Sequence, residues 1–462
     1  MTIIVGAGPA GLKAATVIAG CGGEVTLLDS QPRLGGQYWR HSEVAATNQD
    51  FGHDGKRLKS LLDEISQSTR ISVRTGVSVW HSEMKNQVPT LHLSNQDVLT
   101  SQTVLIATGA YDRTLPFPGW DLPGSMSAGG AQALLKGTGA LLGRKVFVAG
   151  TGPFLLPVAA ALVEAGVKVL AVLEASPING WFKHFNAIDP SKIKDLFRYM
   201  KILQSARVPI KIGYAIVEAR GDGRVQEVTI AKVDKNFTII PTTIEIHQCD
   251  AIATGWGFTP DLSLAYGFGV ETVVNEIDHS VAVSVNERQE SSVSGIFAAG
   301  ETTGIGGVEL ALVEGEIAGL AIALRRGLIS KEEARERSLG LSNKRAKYQK
   351  FATALSEVYR IRPGWRSWLK PDTTICRCEE VNFDKVVSAV HDLGAEDVRS
   401  AKNFTRCGMG LCQGRICGLS VAEIVSAEVG RAPTNDELRG INNRPIISPI
   451  KLGELANSSF SE

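Results

Sequence analysis

Five of the chain's seven cysteines crowd into one short stretch: Cys376 and Cys378 in Thr-Ile-Cys-Arg-Cys-Glu-Glu, then Cys407, Cys412 and Cys417 in Arg-Cys-Gly-Met-Gly-Leu-Cys-Gln-Gly-Arg-Ile-Cys. An odd number of cysteines argues against a disulfide framework, and thiols gathered this closely are the donors of a metal centre. A C-x-C pair, a glycine-rich turn and a C-x4-C pair supply four converging ligands, Cys376, Cys378, Cys412 and Cys417, and leave Cys407 as a spare. Gly408, Gly410 and Gly414 would let backbone N–H groups approach bridging sulfides and tune the potential of a [2Fe-2S] cluster. Zinc takes the same number of ligands and stays open, although structural zinc more often uses C-x2-4-C pairs. Cys21 and Cys249 stand alone and read as inert core residues.

A second kind of chemistry opens the chain. Ile3 to Val5 reads as a strand, Gly6, Gly8 and Gly11 give G-x-G-x-x-G, and Leu12 to Ala19 carries an apolar helical pattern. Gly6 allows a tight turn, Gly8 lets backbone N–H groups approach a pyrophosphate, and Gly11 lets the helix pack on the strand. A second strand ends at Asp29, about the 20 residues on at which a carboxylate bonds ribose hydroxyls. Gly35-Gly36-Gln37 is similar to the glycine pair that borders the flavin pyrophosphate in two-dinucleotide-binding flavoproteins, so the expected cofactor is FAD.

The opening pattern returns at Lys145 to Leu155, where Gly150 and Gly152 keep the first two glycines and Leu155 takes the third position; the following strand ends at Glu174. The bulk of Leu155 is expected to disturb helix–strand packing. This second site therefore stays open between NAD, another adenine nucleotide and a structural repeat. Thr108-Gly109 and Thr254-Gly255 each end an apolar strand after its own unit, resembling the segment that passes under the flavin. Gly300-Glu301 looks like the flavoprotein strand end whose acid bonds the ribityl chain, and the helix from Val308 would turn its N-terminus to the flavin pyrimidine.

These elements must be held by an α/β fold of two nested Rossmann-like dinucleotide-binding domains with a small, mostly helical C-terminal [2Fe-2S] domain. The expected boundaries are 1–140 with 251–330 for the FAD domain, 141–250 for the insert, 331–370 for a helical connector, 371–430 for the cysteine domain and 431–462 for a tail. Arg113, in a proline-rich crossing, reads equally as a phosphate partner or a solvated arginine. The basic stretch Lys192 to Lys201 reads as a partner-facing helix or a solvated one. With 462 residues, 44% apolar content and a net charge of +1, the chain can bury real cores and gives no electrostatic case for nucleic acid. No apolar run reaches a membrane span and no leader precedes the first strand, so a cytoplasmic location is expected. No cysteine pair accompanies either nucleotide unit, which argues against disulfide reduction.

Taken together, Gly6 onward, Thr108 to Arg113, Ala128-Gly129-Gly130-Ala131-Gln132 and the terminal Cys-Gln-Gly-Arg-Ile-Cys resemble one family. It comprises the larger FAD subunits of bacterial multisubunit amino-acid and imino-acid dehydrogenases, such as the A component of opine oxidase, the alpha component of D-hydroxyproline dehydrogenase and the B component of hydrogen cyanide synthase. The cysteine segment also resembles the [2Fe-2S] domain of bacterioferritin-associated ferredoxin, with C-x4-C in place of C-x2-C. The resemblance implies an oxidoreductase subunit carrying FAD and a [2Fe-2S] cluster in a hetero-oligomer. Its partners would be a glycine-oxidase-like flavoprotein that oxidises the substrate's C–N bond and a small ferredoxin-like subunit. The sequence shows no arrangement that would hold an amino acid and abstract its proton, so no catalytic acid or base is named. A self-contained NADH-dependent flavin reductase is the alternative, and Leu155 counts against it.

Overall fold

A computed structural model describes residues 1–42, 55–441 and 443–457; most of the polar stretch from His41 to Lys59 lies outside the described residues. The first unit contains β1 (Thr2–Val5), β2 (Val25–Asp29) and β3 (Ile71–Thr75), then antiparallel β4 (Val79–Lys85), β5 (Val88–Leu93) and β6 (Val98–Thr100), and finally β7 (Val104–Ile106). The parallel sheet runs Ile296–Ala298, β7, β1, β2, β3. All its strands but the edge strand β3 are buried on both faces, which is why they read as continuous apolar runs. Helix α1 (Pro9–Gly20) crosses the Gly307–Arg325 helix closely. A Cβ on Gly315 would lie 2.3 Å from the Ala10 carbonyl oxygen, so only glycine permits that approach.

The second unit repeats the plan, including the three-stranded antiparallel layer. Its parallel sheet runs Ile210–Ile212, Lys168–Glu174, Lys145–Gly150, Ala251–Gly255, Ser125–Ser127, and its meander is Tyr214–Arg220, Glu227–Lys232 and Glu245–Gln248. The crossing points differ from the expected 140/141 and 250/251. Both Ser125–Ser127 and Ala251–Gly255 pair in the second sheet, the former entering along the edge of the latter.

Beyond the helices Lys331–Arg337 and Leu341–Val358, Trp365 and Trp368 are buried in an apolar core that joins the second unit to the cysteine domain. The Trp368 indole N–H donates to the Phe237 carbonyl at 2.8 Å. Arg113 is neither solvated nor placed for phosphate. It is buried, paired with Glu423 at 2.9 Å, and donates to the Asp278 carbonyl at 2.8 Å. Burial pushes the Glu423 carboxyl up, but His279, Arg113 and the Trp365 indole together outweigh it and hold the group below the usual range. This pair fixes the cysteine domain to the interdomain crossing. Cys249 is buried as expected, whereas Cys21 is only half-buried and accepts from Arg337 at 3.0 Å. Among the described residues no helix is long and apolar enough to cross a membrane.

Candidate redox centres

The first glycine loop divides its labour as the spacing demands. A Cβ on Gly6 would lie 2.1 Å from the Ala107 oxygen and one on Gly11 would lie 1.9 Å from the Gly6 oxygen, so both are glycine for internal packing. Gly8 differs: its backbone is extended, and a Cβ there meets only the Gly36 Cα at 4.0 Å. That direction is open to a ligand, and a side chain would fill it. Gly35 and Gly36 curl over this loop with positive φ, the Gly35 N–H donating to the Ala7 carbonyl at 2.8 Å, while Gln37 accepts from Arg40. Beside them, the buried Trp39 indole nitrogen has no partner among the described residues. An open glycine cradle at a helix N-terminus with an orphan donor nearby fits a dinucleotide pyrophosphate.

Asp29 ends β2, but its carboxylate is already engaged, accepting from the Ala7 and Gln31 N–H groups at 2.7 Å each; burial raises its pKa. Thr108 and Gly109 end the crossing after β7, where the Thr108 hydroxyl donates to the Asp261 carbonyl at 2.9 Å and the Gly109 N–H donates to Thr302. The Gly300 N–H donates to Glu314 at 3.0 Å. Glu301 accepts from the Gly307 N–H at 2.7 Å, so it takes up a donor at the start of the Gly307–Arg325 helix that was expected to face the flavin; burial pushes its pKa up to about 7.

In the second loop Leu155 does not force helix from strand. Its side chain is buried against Gly255, where an added Cβ would come within 3.1 Å of the Leu155 Cδ2. A glycine on the neighbouring strand makes room for the missing glycine in the loop. The acid behaves differently, however. Glu174 accepts from the Gly152 N–H, the Thr151 hydroxyl and the Ser176 N–H, all at 2.8 Å. Being one methylene longer than Asp29, it reaches the loop's second glycine, whereas Asp29 stops at Ala7. The N–H that would meet a phosphate is thus drawn onto a carboxylate.

Burial also pushes Glu174 up to about 7 from an ordinary 4.5. Between these values only the folded chain holds the proton, so stability declines as pH rises through that window and the loss is complete above it. From about pH 5 to about pH 8 the change is about 2 kcal/mol for one such carboxyl. Glu174→Gln should remove that part of the pH dependence, measured by urea unfolding at both ends. An unchanged pH dependence would contradict the assignment.

The cysteines converge at the far end. Cys376, Cys378, Cys412 and Cys417 line a cavity of about 220 Å³ together with Arg377 and Ile416. Cys407 is not among its lining residues, yet it is no bystander. Its sulfur is 4.0 Å from that of Cys417, and Cys376, Cys407 and Cys417 form a buried trio with sulfurs within 4.8 Å. Hydrogen bonds from Cys407 and Cys417 hold the Cys376 thiol down to about 2, and the hydrogen bonds of Cys407 to Cys376 and Cys417 push its own thiol up. The glycine-rich turn is sterically required, because a Cβ on Gly410 would lie 2.2 Å from the Cys378 Cβ. The Gly408 N–H points at the Cys376 sulfur at 3.5 Å. Four thiols around one cavity with an N–H at a sulfur fit a [2Fe-2S] cluster.

The two centres share a seam that no motif announces. Thr114, shortly after Gly109, donates to the Ile416 carbonyl at 3.0 Å, and Arg415 donates to Ser263 at 2.8 Å, next to the Asp261 carbonyl that Thr108 holds. The turn carrying Cys417 is therefore bonded to the two crossing segments that follow Gly109 and Asp261.

Fold and site together define a flavoprotein oxidoreductase with two dinucleotide folds and an appended iron–sulfur module. Residues 1–327 match the pyridine nucleotide-disulphide oxidoreductase family and residues 374–427 the BFD-like [2Fe-2S] binding domain. The chain belongs to that oxidoreductase family. It is 30% identical to the A component of opine oxidase from Agrobacterium tumefaciens (strain Ach5), over 98% of this chain and 91% of that protein. It is 32% identical to the HcnB component of hydrogen cyanide synthase from Pseudomonas protegens, over 90% of this chain and 89% of that one. L-proline dehydrogenase from P. horikoshii shares the fold at a TM-score of 0.68 and 20% identity, covering 99% of this chain and 79% of that one.

Proposed function

We propose that this chain is the FAD- and [2Fe-2S]-carrying electron-transfer subunit of a cytoplasmic hetero-oligomeric dehydrogenase, in which a partner flavoprotein oxidises the C–N bond of an amino or imino acid. The observation that carries this reading is the bonded seam in which Thr108 holds Asp261, Thr114 holds Ile416 and Arg415 holds Ser263. When bound, FAD supplies two-electron chemistry and the cluster one-electron transfer. The chain's own part is positional: Gly6 and Gly11 shape the loop that offers Gly8, with Gly35, Gly36 and Gln37, to the pyrophosphate, Asp29 orients that loop, and Thr108, Gly109, Gly300 and Glu301 border the flavin. Cys376, Cys378, Cys412 and Cys417 ligate the cluster.

The hold of Glu174 on the Gly152 N–H speaks against NADH entry at Gly150 and Gly152, and so for a partner as electron source. Mixing the purified chain anaerobically with the co-expressed partner flavoprotein and its amino acid tests this. The flavin should bleach only with the partner present, and bleaching by NADH alone would overturn the reading.

The partner has a surface to meet. On the Pro190–Ser205 helix, Ile193, Leu196, Phe197 and Met200 form an exposed i, i+3, i+4, i+7 stripe, and Phe182 and Phe185 beside it are 84% and 73% exposed. Lys192, Lys194, Arg198 and Lys201 rim the stripe against one acid, Asp195, in a chain of net charge +1. This suits an apolar patch ringed by carboxylates on the substrate-oxidising subunit, with any small ferredoxin-like subunit elsewhere. Phe182→Ser with Phe197→Ser should weaken that association by roughly tenfold or more, with flavin and iron contents unchanged. Undiminished co-purification would remove the stripe from the interface.

A further inference from the structure

His81, Glu83 and His92 converge on one face of the antiparallel layer formed by β4 and β5. His81 and His92 are cross-strand partners, and Glu83 lies two residues along β4, on the same side as His81. An irregularity in the pairing between Val79 and His81 inserts Trp80 as an extra residue and re-aims the side chains after it. One ligand atom from each of the three lies within 4.8 Å of the other two. The His92 Nε2 is 2.9 Å from Glu83 Oε1, and His92 is buried while Glu83 keeps an open side.

A cross-strand His–Glu pair would account for two of these groups but leaves His81 unexplained. Its Nδ1 is 2.9 Å from the Pro445 carbonyl, which fixes the tautomer with the proton on Nδ1 and leaves the Nε2 lone pair for a cation. A backbone carbonyl on the far nitrogen is the usual outer support of a metal-bound histidine. We propose that His81, Glu83 and His92 bind a divalent ion of the zinc class, with water in the remaining position. Two neutral imidazoles and one carboxylate suit that ion. Binding at His92 Nε2 requires the proton on that nitrogen to go: an imidazolium releases it to solvent, and a neutral ring takes it back through solvent at Nδ1.

The ion would do more than staple a hairpin. The Ile447 N–H donates to the Trp80 carbonyl at 2.8 Å and Ser448 donates to the Val79 carbonyl, so the C-terminal strap lies along β4. The same strap meets the cysteine turn: Arg415 donates to the Ile447 carbonyl at 2.6 Å, and Arg444 donates to the Gly408 and Gln413 carbonyls at 3.3 and 3.4 Å. A metal at His81 thus fixes, through Pro445, the segment that braces the cluster loop.

The test uses the full chain with its iron and flavin in place, washed with a chelator and titrated with zinc chloride. One equivalent should bind, with only nitrogen and oxygen scatterers at the zinc X-ray absorption edge. His81→Ala with His92→Ala should lower affinity by about a hundredfold or more with iron and flavin unchanged. Because His92 is buried, the partly exposed Glu83→Gln provides a second variant that keeps side-chain shape, and it should weaken binding in the same direction. Sulfur in the zinc shell, no binding, or equal binding by parent and Glu83→Gln would each overturn the proposal. None of these outcomes depends on the electron-transfer reading.

Discussion

Serine at Cys376, Cys378, Cys412 or Cys417 should leave the chain with at least about tenfold less iron, while Cys407→Ala should retain the parental content. The four lie around one cavity, at graded depth: Cys378 is exposed, Cys412 half-buried, and Cys376 and Cys417 buried. Cys407 lies against Cys376 and Cys417, and its S–H donates to the Cys417 sulfur at 4.0 Å. Alanine there removes one hydrogen bond to a ligand sulfur and should shift the cluster's reduction potential without releasing iron. Iron and sulfide analysis of the five anaerobically purified variants decides the matter. Iron lost in Cys407→Ala but kept in Cys378→Ser would instead make the buried trio of Cys376, Cys407 and Cys417 the ligand core.

The second large effect separates two glycines only two residues apart. Gly8→Val should leave a folded chain that has lost flavin, because the Gly8 backbone is extended and its Cβ direction meets no protein atom closer than 4.0 Å. Overpacking a bound pyrophosphate costs about 1–3 kcal/mol, roughly a tenfold to hundredfold loss in affinity. Gly6→Ala should fail earlier, since φ is +106° and the new carbon would lie 2.1 Å from the Ala107 oxygen. Flavin absorbance against the thermal midpoint distinguishes the two. A Gly8→Val chain with full flavin would place the pyrophosphate elsewhere.

Why some of this could be read from residue order and some could not has a physical basis. The glycine triplet and the cysteine pairs act at fixed short separations, so spacing alone exposes them. Both parallel units follow from apolar runs that end in a glycine turn. Leu155 misled because its compensation, Gly255, lies on a different strand and no local rule connects them. Arg113 read equally as a phosphate partner or a solvated arginine because its partner Glu423 is distant in sequence, and the buried pair exists only once the cysteine domain docks. Trp365 and Trp368 fall within the expected helical connector 331–370 but anchor the core on which that domain rests. The stripe on the Pro190–Ser205 helix showed its lysines in sequence; only the fold reveals that its phenylalanine and leucine side chains lie uncovered.

The central claim is a flavin and an iron–sulfur cluster in one chain, fed by a partner rather than by NADH. Anaerobic purification followed by visible spectra and iron, sulfide and zinc analysis, before and after NADH, tests it most directly. The account predicts flavin and [2Fe-2S] absorbance, two irons per chain, and no bleaching by NADH. Rapid bleaching by NADH, or zinc in the cysteine site in place of iron, would contradict it.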